Sequence, residues 1–280
     1  MTVGGLVREA AGRLGERAGD AARLEAELLL AHLLGVERPA LYVRWDEDVP
    51  AQAAGRLAGL VERRRRGEPL AYITGRREFM GLEFTVTPDV LVPRPETELL
   101  VETALNFLVA ADPAPRAADV GTGSGAIAVS LAAYHPAVRV VAVDLSEAAL
   151  AVALVNARRH GVADRVSFLH GDLLSGLEGP FDLVAANLPY IPSGELDGLP
   201  DEVRCEPRAA LDGGPDGLDP YRRLVPQAER VLRPGGWFLA EMAPAQEAAF
   251  LALVPPPVWR ARVEKDRAGR PRLLVARRVG

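Results

Sequence analysis

Apolar and polar positions change their period about a quarter of the way along the chain. Up to residue 76 the apolar residues recur at helical spacing. Leu24, Leu28, Leu29, Leu30, Leu33 and Leu34 predict a helix over 21–34, with Asp20 as its cap and Gly35 just past its end. That helix is apolar on more than one face, which places it at the centre of a small bundle. A second helix is expected from Pro50 to about residue 66, with a one-sided stripe of Leu57, Leu60 and Val61 and Gly67 beyond it. Residues 77–87 alternate instead. Leu82, Phe84 and Val86 share one face and Met80-Gly81 sits at the turn, which predicts a hairpin linking two domains.

From residue 88 the pattern becomes strand, helix, strand, helix. Strands are expected over 117–120, 138–144, 166–170, 181–186 and 237–241, and helices over 96–110, 126–134, 146–160 and 221–232. Ser146 is a cap and Gly161 a terminator for the third of these helices. The alternation predicts an α/β domain over 88–280, with a mostly parallel sheet covered on both faces. The tail departs from a plain dinucleotide fold: 259–265 and 272–278 flank Asp266-Arg267-Ala268-Gly269, an antiparallel hairpin.

Composition narrows the field. The 280 residues are 49% hydrophobic and 25% charged, ordinary for a globular protein. A net charge of −5 argues against a broad non-specific nucleic-acid binder and leaves a local basic patch open. The run Arg63-Arg64-Arg65-Arg66 reads as a solvated last helical turn that complements the helix dipole, in preference to a contact with an acidic or RNA-bearing partner. Cys205 is the single cysteine, so no intrachain disulfide and no Cys-rich zinc site is expected. His32, His135, His160 and His170 are scattered, and no metal site is expected. No apolar run approaches a membrane span, and residues 1–5 lack the regions of a signal peptide, so the cytoplasm is the expected address.

Two motifs carry candidate chemistry. Asp119-Val120-Gly121-Thr122-Gly123-Ser124-Gly125 follows one predicted strand and opens a helix, and Asp144 ends the next strand. A glycine loop in that place offers N–H groups and close approach, and a carboxylate about 20 residues on can accept from ribose hydroxyls. NAD is the rival cofactor. The loop reads Gly-x-Gly-x-Gly, however, and Asp119 suits the ammonium of S-adenosyl-L-methionine better than a pyrophosphate. Asp172, after the third strand, is either an acceptor for an adenine amine or the start of an Asx turn.

Asn187-Leu188-Pro189-Tyr190 ends the fourth strand, beside the crevice where open α/β sheets bind ligands. The Asn187 side-chain oxygen and the Leu188 carbonyl can each accept one hydrogen of a planar –NH2 group, while Tyr190 stacks on its plane. Pro189 biases Leu188 toward extended angles. An amide nitrogen is a poor nucleophile, so alignment and acceptor placement must do most of the catalysis. The pair of motifs points to methyl transfer onto an amide or aromatic amine nitrogen. Val92-Pro93-Arg94-Pro95-Glu96-Thr97-Glu98 opens a helix, and its density of Pro, Arg and Glu suits a lid, which makes Arg94 and Glu96 candidates for substrate contact.

With these segments in view, nearly the whole chain resembles the HemK/PrmC family, the glutamine N5-methyltransferases of peptide chain release factors. The resemblance rests on residues 69–75, 79–81, 92–98 and 119–125, on Asp144, and on 187–191, Glu206-Pro207 and 210–218. It implies a Rossmann-like S-adenosylmethionine-dependent methyltransferase preceded by a helical release-factor-recognition domain over 1–76. It implies methylation of the glutamine of the Gly-Gly-Gln motif of class I release factors, with S-adenosyl-L-homocysteine as by-product. By motif match, Gly121, Thr122, Gly123, Ser124, Gly125, Asp144, Asp172 and Asn187 bind the donor. Asn187, Leu188, Pro189 and Tyr190 hold the glutamine amide. The family usually has Asn-Pro-Pro-Tyr; Leu188 keeps the carbonyl and loses the ring that restricts Asn187. Two other readings stand beside this one: an enzyme methylating adenine or cytosine in nucleic acid, and a catalytically silent donor-binding docking module.

Overall fold

The helical period of the first segment becomes α1 (Val3–Ala18), α2 (Ala22–Leu34), α3 (Arg38–Val43), α4 (Ala51–Arg65) and α5 (Leu70–Thr74). This is a computed structural model, and it describes residues 1–109 and 113–280. The chain divides into two units: Met1–Arg76 with Pro200–Cys205, and Arg77–Leu199 with Glu206–Gly280.

In the first unit α2 packs against α1, α3, α4 and α5 and buries Ala26, Leu29 and Leu30, as its two-faced apolar pattern implies. Gly35 ends it with φ 65. Asp20 does not cap it. Asp20 lies in a 3-10 turn, Gly19–Ala21, that runs straight into α2, so the backbone is already helical where a cap residue needs extended angles. The arginine run also differs from expectation, because Arg64 is 6% exposed. Its guanidinium donates twice to Glu25, at 2.8 Å each, and once to Glu202 at 2.8 Å. Arg63 pairs with Glu68, and Arg65 and Arg66 with Glu62, so each member of the run has a carboxylate partner within the unit. Residues 200–205, expected with the catalytic domain, belong here: Arg17 pairs with Asp201 at 3.3 Å, and Cys205 Sγ lies 3.7 Å from the Gly67 carbonyl.

The second unit opens with the hairpin β1 (Arg76–Phe79) and β2 (Leu82–Thr85), turned through Met80 and Gly81. Its remaining elements, in chain order, are α6 (Glu98–Val109), β3 (Arg116–Val120), α7 (Ala126–Tyr134), β4 (Arg139–Asp144), α8 (Glu147–Arg159), β5 (Val166–His170) and β6 (Phe181–Ala186). After α9 (Asp201–Arg204), which lies in the first unit, come α10 (Asp219–Val231), β7 (Leu232–Glu241), α11 (Glu247–Ala252), β8 (Trp259–Lys265) and β9 (Pro271–Arg278). The helix predicted over 96–110 begins two residues late, behind a 3-10 turn, Pro95–Thr97; its expected last residue lies outside the described residues.

The seven strands β3–β9 form one sheet in the order β5-β4-β3-β6-β7-β9-β8. The first five strands in that order are parallel, and the tail hairpin adds β9 antiparallel to β7. Apolar side chains fill both faces. Leu100, Val101, Leu108, Val129 and Leu131 pack on one side, and Tyr221, Leu224, Val225 and Phe250 on the other. The chain runs outward from β3 through β4 to β5, then returns to place β6 on the other side of β3. That reversal opens a crevice at the carboxyl ends of β3 and β6, where Val120 and Ala186 are register partners. The two sequence motifs each begin at one of these strand ends, so topology alone brings them together.

Candidate active site

The glycine loop leaves β3 with Gly121 and Thr122 N–H both donating to the Val143 carbonyl, at 2.9 and 3.0 Å. Gly121 has φ 73, and a Cβ there would sit 2.7 Å from Leu188 Cδ2, so the loop reaches the second motif only because it lacks a side chain. Gly125 has φ 80 at the start of α7, and its missing Cβ leaves room for Ala153 of α8. Gly123 N–H donates to Asp144 Oδ2 at 2.9 Å, and Ser146 N–H to Asp144 Oδ1 at 2.9 Å. Each Asp144 oxygen retains a lone pair for a ligand hydroxyl. Ser146 in turn caps α8, accepting from Ala149 N–H at 3.1 Å, as its sequence position implies.

Asp119 is fully buried behind the loop. Its Oδ2 accepts from Thr122 Oγ1 at 2.6 Å and from Ala128 N–H at 3.0 Å, while Oδ1 has no hydrogen-bond partner. Burial pushes this carboxyl up to about 7, against the two hydrogen bonds, and the nearby Asp144 charge adds to the rise. A buried, half-satisfied carboxylate at the base of a glycine loop suits a cationic ligand group.

A cavity of about 420 Å3 opens over these elements, within the rough 300–1,000 Å3 range of small-molecule sites. Gly121, Thr122, Gly123, Ser124, Asp144, Asp172, Asn187, Leu188, Pro189 and Arg94 all line it, as does Thr97. Gly125, Asp119, Glu96 and Tyr190 do not. Gly125 is turned into the α7–α8 contact, and Asp119 sits beneath the loop. Asp172 pairs with Arg223 on the cavity wall, and its buried Oδ1 has no partner. Leu173 beside it holds φ 56, an uncommon backbone for leucine, at the rim of the same cavity. Arg94 pairs with the buried Glu206, whose Oε1 accepts from Val92 N–H at 3.3 Å. Both arginines that line the cavity are therefore matched by carboxylates.

At the end of β6 the motif is tied from behind. Asn187 Nδ2 donates to Thr97 Oγ1 at 3.1 Å, and Thr97 Oγ1 donates to Glu241 Oε2 at 2.6 Å. Tyr190 turns its ring into the apolar cluster under the sheet and donates its hydroxyl to Glu241 Oε1 at 3.2 Å, which keeps it off the cavity wall. Burial pushes the Tyr190 hydroxyl up, so it holds its proton. Leu188 N–H donates to the Tyr221 hydroxyl at 3.0 Å, and that hydroxyl donates to the Glu241 carbonyl at 2.8 Å. Glu241, 2% exposed, is raised by burial and pulled back by Thr97, the charge of Arg272 and Tyr190. Gln246 Nε2 closes the arrangement on the Tyr190 carbonyl at 2.9 Å.

Sequence reasoning missed Thr97, Glu241, Tyr221 and Asn156. Thr97 lies between Glu96 and Glu98, whose charges give the stronger signal in that segment. Asn156, buried on α8, accepts from Thr85 N–H at 2.7 Å and donates to the Thr85 and Ser124 carbonyls at 2.9 and 2.8 Å, pinning the hairpin to the glycine loop. Its signal was an asparagine in register with Ala149, Val152 and Ala153 on an apolar helix face. Among the described residues no cluster of His, Cys, Asp and Glu is arranged to hold a metal ion, and no helix is long and apolar enough to cross a membrane.

The sheet order, the glycine loop and the carboxylate after the next strand define a methyltransferase that uses S-adenosyl-L-methionine. Two family profiles match: PrmC N-terminal domain over residues 5–75 and Methyltransferase domain over residues 112–265. A release factor glutamine methyltransferase of Moorella thermoacetica is 48% identical, over 99% of this chain and 99% of its own length. One of Geobacter sulfurreducens is 47% identical over 86% of this chain and 84% of its own. Among solved structures, the ribosomal protein L11 methylase of Lactobacillus delbrueckii subsp. bulgaricus shares the fold, with a TM-score of 0.52 at 22% identity over 70% of this chain and 84% of that one. The chain belongs to the release factor glutamine methyltransferase family.

Proposed function

We propose that this protein methylates the side-chain amide nitrogen of the glutamine in the Gly-Gly-Gln motif of class I peptide chain release factors, in the cytoplasm, with S-adenosyl-L-methionine as donor. The observation that carries the reading is the pair of acceptors at the end of β6, one strand from the glycine loop, in a chain related over its full length to enzymes of that name.

The residues fit the donor. Gly121, Thr122, Gly123 and Ser124 give it a backbone cradle, and Asp144 presents two lone pairs to the ribose. Asp119 supplies buried negative charge beneath the loop, and Asp172 an acceptor at the far wall. The donor supplies an electrophilic methyl carbon on a sulfonium. The chain's task is then to orient the amide. Asn187 Oδ1 accepts one N–H and the Leu188 carbonyl the other, which fixes the amide plane and raises electron density on nitrogen. Pro189 holds the turn, and Arg94 lines the approach. Tyr190 acts from behind the wall through Glu241, and Glu96 is exposed outside the cavity lining. As the amide nitrogen takes the methyl group, with the C–S electron pair staying on the departing thioether, its N–H bonds become strongly acidic; the two acceptors orient these protons and one is released to solvent, so no strong base is required.

Paired arginines on the cavity wall weigh against a nucleic-acid amine as substrate, and the aligned Asn187 weighs against a silent module. The test is incubation with labelled donor and purified release factors, followed by mapping of the methylated residue by mass spectrometry. Label on the Gly-Gly-Gln glutamine supports the assignment; transfer to another residue, or none, overturns it.

A further inference from the structure

We infer that Glu241 is a positioning residue that sets which way the Asn187 amide faces, through a polarity relay running Glu241, Thr97, Asn187. The inference rests on the proposed acceptor role of Asn187 and adds the reason its oxygen points at the substrate.

Each Glu241 oxygen faces a hydroxyl donor and the Arg272 charge is nearby, so Glu241 acts as a carboxylate that accepts and does not donate, against the burial that raises it. Glu241 Oε2 lies 2.6 Å from Thr97 Oγ1, and Oε1 lies 3.2 Å from the protonated Tyr190 hydroxyl. Thr97 has one hydroxyl hydrogen and spends it on Glu241. Its oxygen is then only an acceptor, so the Asn187 atom 3.1 Å away must be the NH2 group. An inverted Asn187 would set two oxygens against each other in a buried site. With Nδ2 held behind, Oδ1 is the atom left to accept from the substrate amide. The main chain of Glu241 acts in the same sense. Its carbonyl accepts from the Tyr221 hydroxyl at 2.8 Å and the Tyr221 oxygen accepts from Leu188 N–H at 3.0 Å; with the hydroxyl hydrogen spent on Glu241, the Leu188 carbonyl, 3.5 Å from that oxygen, keeps its lone pairs for the substrate. Thus one buried residue braces both acceptors.

Glu241→Gln is nearly isosteric and reverses the relay. The Tyr190 hydroxyl claims the new carbonyl oxygen, and the new NH2 group donates to Thr97. The Thr97 hydrogen then turns to Asn187 and draws Oδ1 away from the substrate. Turnover is expected to fall about tenfold or more, with donor affinity and the KM for release factor within about twofold of wild type. Adding Tyr190→Phe removes the competing donor and lets the new carbonyl face Thr97, so the double variant should be faster than Glu241→Gln alone. Thr97→Ser keeps the relay and most of the turnover, whereas Thr97→Val loses both.

A second readout needs neither donor nor release factor. In the nuclear magnetic resonance spectrum of the free protein, one Asn187 side-chain N–H should exchange slowly in wild type and Thr97→Ser, and rapidly in Thr97→Val. A double variant no faster than the single, or an Asn187 amide equally labile in wild type and Thr97→Val, overturns the relay. Failure of the wild type to methylate glutamine while that N–H stays protected would instead sink the functional reading.

Discussion

The backbone N–H of Leu188 donates to the hydroxyl of Tyr221 at 3.0 Å, a bond that a proline at 188 has no hydrogen to make. This chain therefore restrains the second position of its motif by a hydrogen bond where the usual family spelling uses a ring. Tyr221→Phe should leave a buried N–H without a partner and lower stability by about 1–3 kcal/mol, with reduced turnover. In a Leu188→Pro background the same change should cost much less. Chemical denaturation of the two single variants and the double gives the coupling directly, and additive effects would show that the bond does not restrain the motif.

Asn187→Ala removes an acceptor from an aligned site and leaves the glycine loop untouched. Turnover should drop by roughly 10²–10³, comparable to the loss of one transition-state hydrogen bond elsewhere, with donor affinity nearly unchanged. Single-turnover rates and donor titration by calorimetry separate the two effects. Wild-type turnover in this variant would remove Asn187 from the mechanism.

Asp119 should make donor binding depend on pH. Its carboxyl sits at about 7 in the folded chain, raised by burial from its ordinary 3.8. A cationic donor favours the ionised form, so affinity should weaken as pH falls through about 7 and level off above it. The sign is opposite for stability of the free protein. A raised carboxyl favours folding by an amount fully present below about 3.8 and lost as pH rises through about 7. Asp119→Asn should flatten both profiles, as calorimetric titration and thermal melts across this range would reveal.

Arg64 and Arg65 are neighbours in sequence and opposites in environment. Arg64→Ala removes a buried cation from Glu25 and Glu202, whose carboxylates reach solvent, and should destabilise the helical unit by about 1.5–3 kcal/mol. Arg65→Ala breaks an exposed pair with Glu62 and should cost under about 1 kcal/mol. Equal losses in denaturant titrations would contradict the burial difference.

Much of this fold was legible because its central strands and helices are mainly apolar segments punctuated by Gly, Asp or Pro. Val166–His170, Phe181–Ala186 and Ala126–Tyr134 fall on the expected bounds. β7 was read short, from 237, because Pro234, Gly235 and Gly236 look like a turn, yet the strand begins at Leu232. The two site motifs were visible as local spellings. Their support was not: Asn187 reaches Thr97 across 90 positions and Tyr190 reaches Glu241 across 51. A lone threonine and a glutamate at a strand end carry no local mark of such a partnership. The same limit hid Arg64, whose partners Glu25 and Glu202 come from distant segments.

Residues Pro200–Cys205 fold with the amino-terminal helices although they are encoded within the catalytic stretch. The helical unit is therefore not a cassette that a single cut can lift out. A fragment ending at Arg76 keeps Glu25 but lacks Asp201 and Glu202, which meet Arg17 and Arg64, and a fragment starting at Arg77 carries a six-residue peptide stripped of its neighbours. Any exchange of this unit between homologous enzymes must transplant both pieces of sequence together.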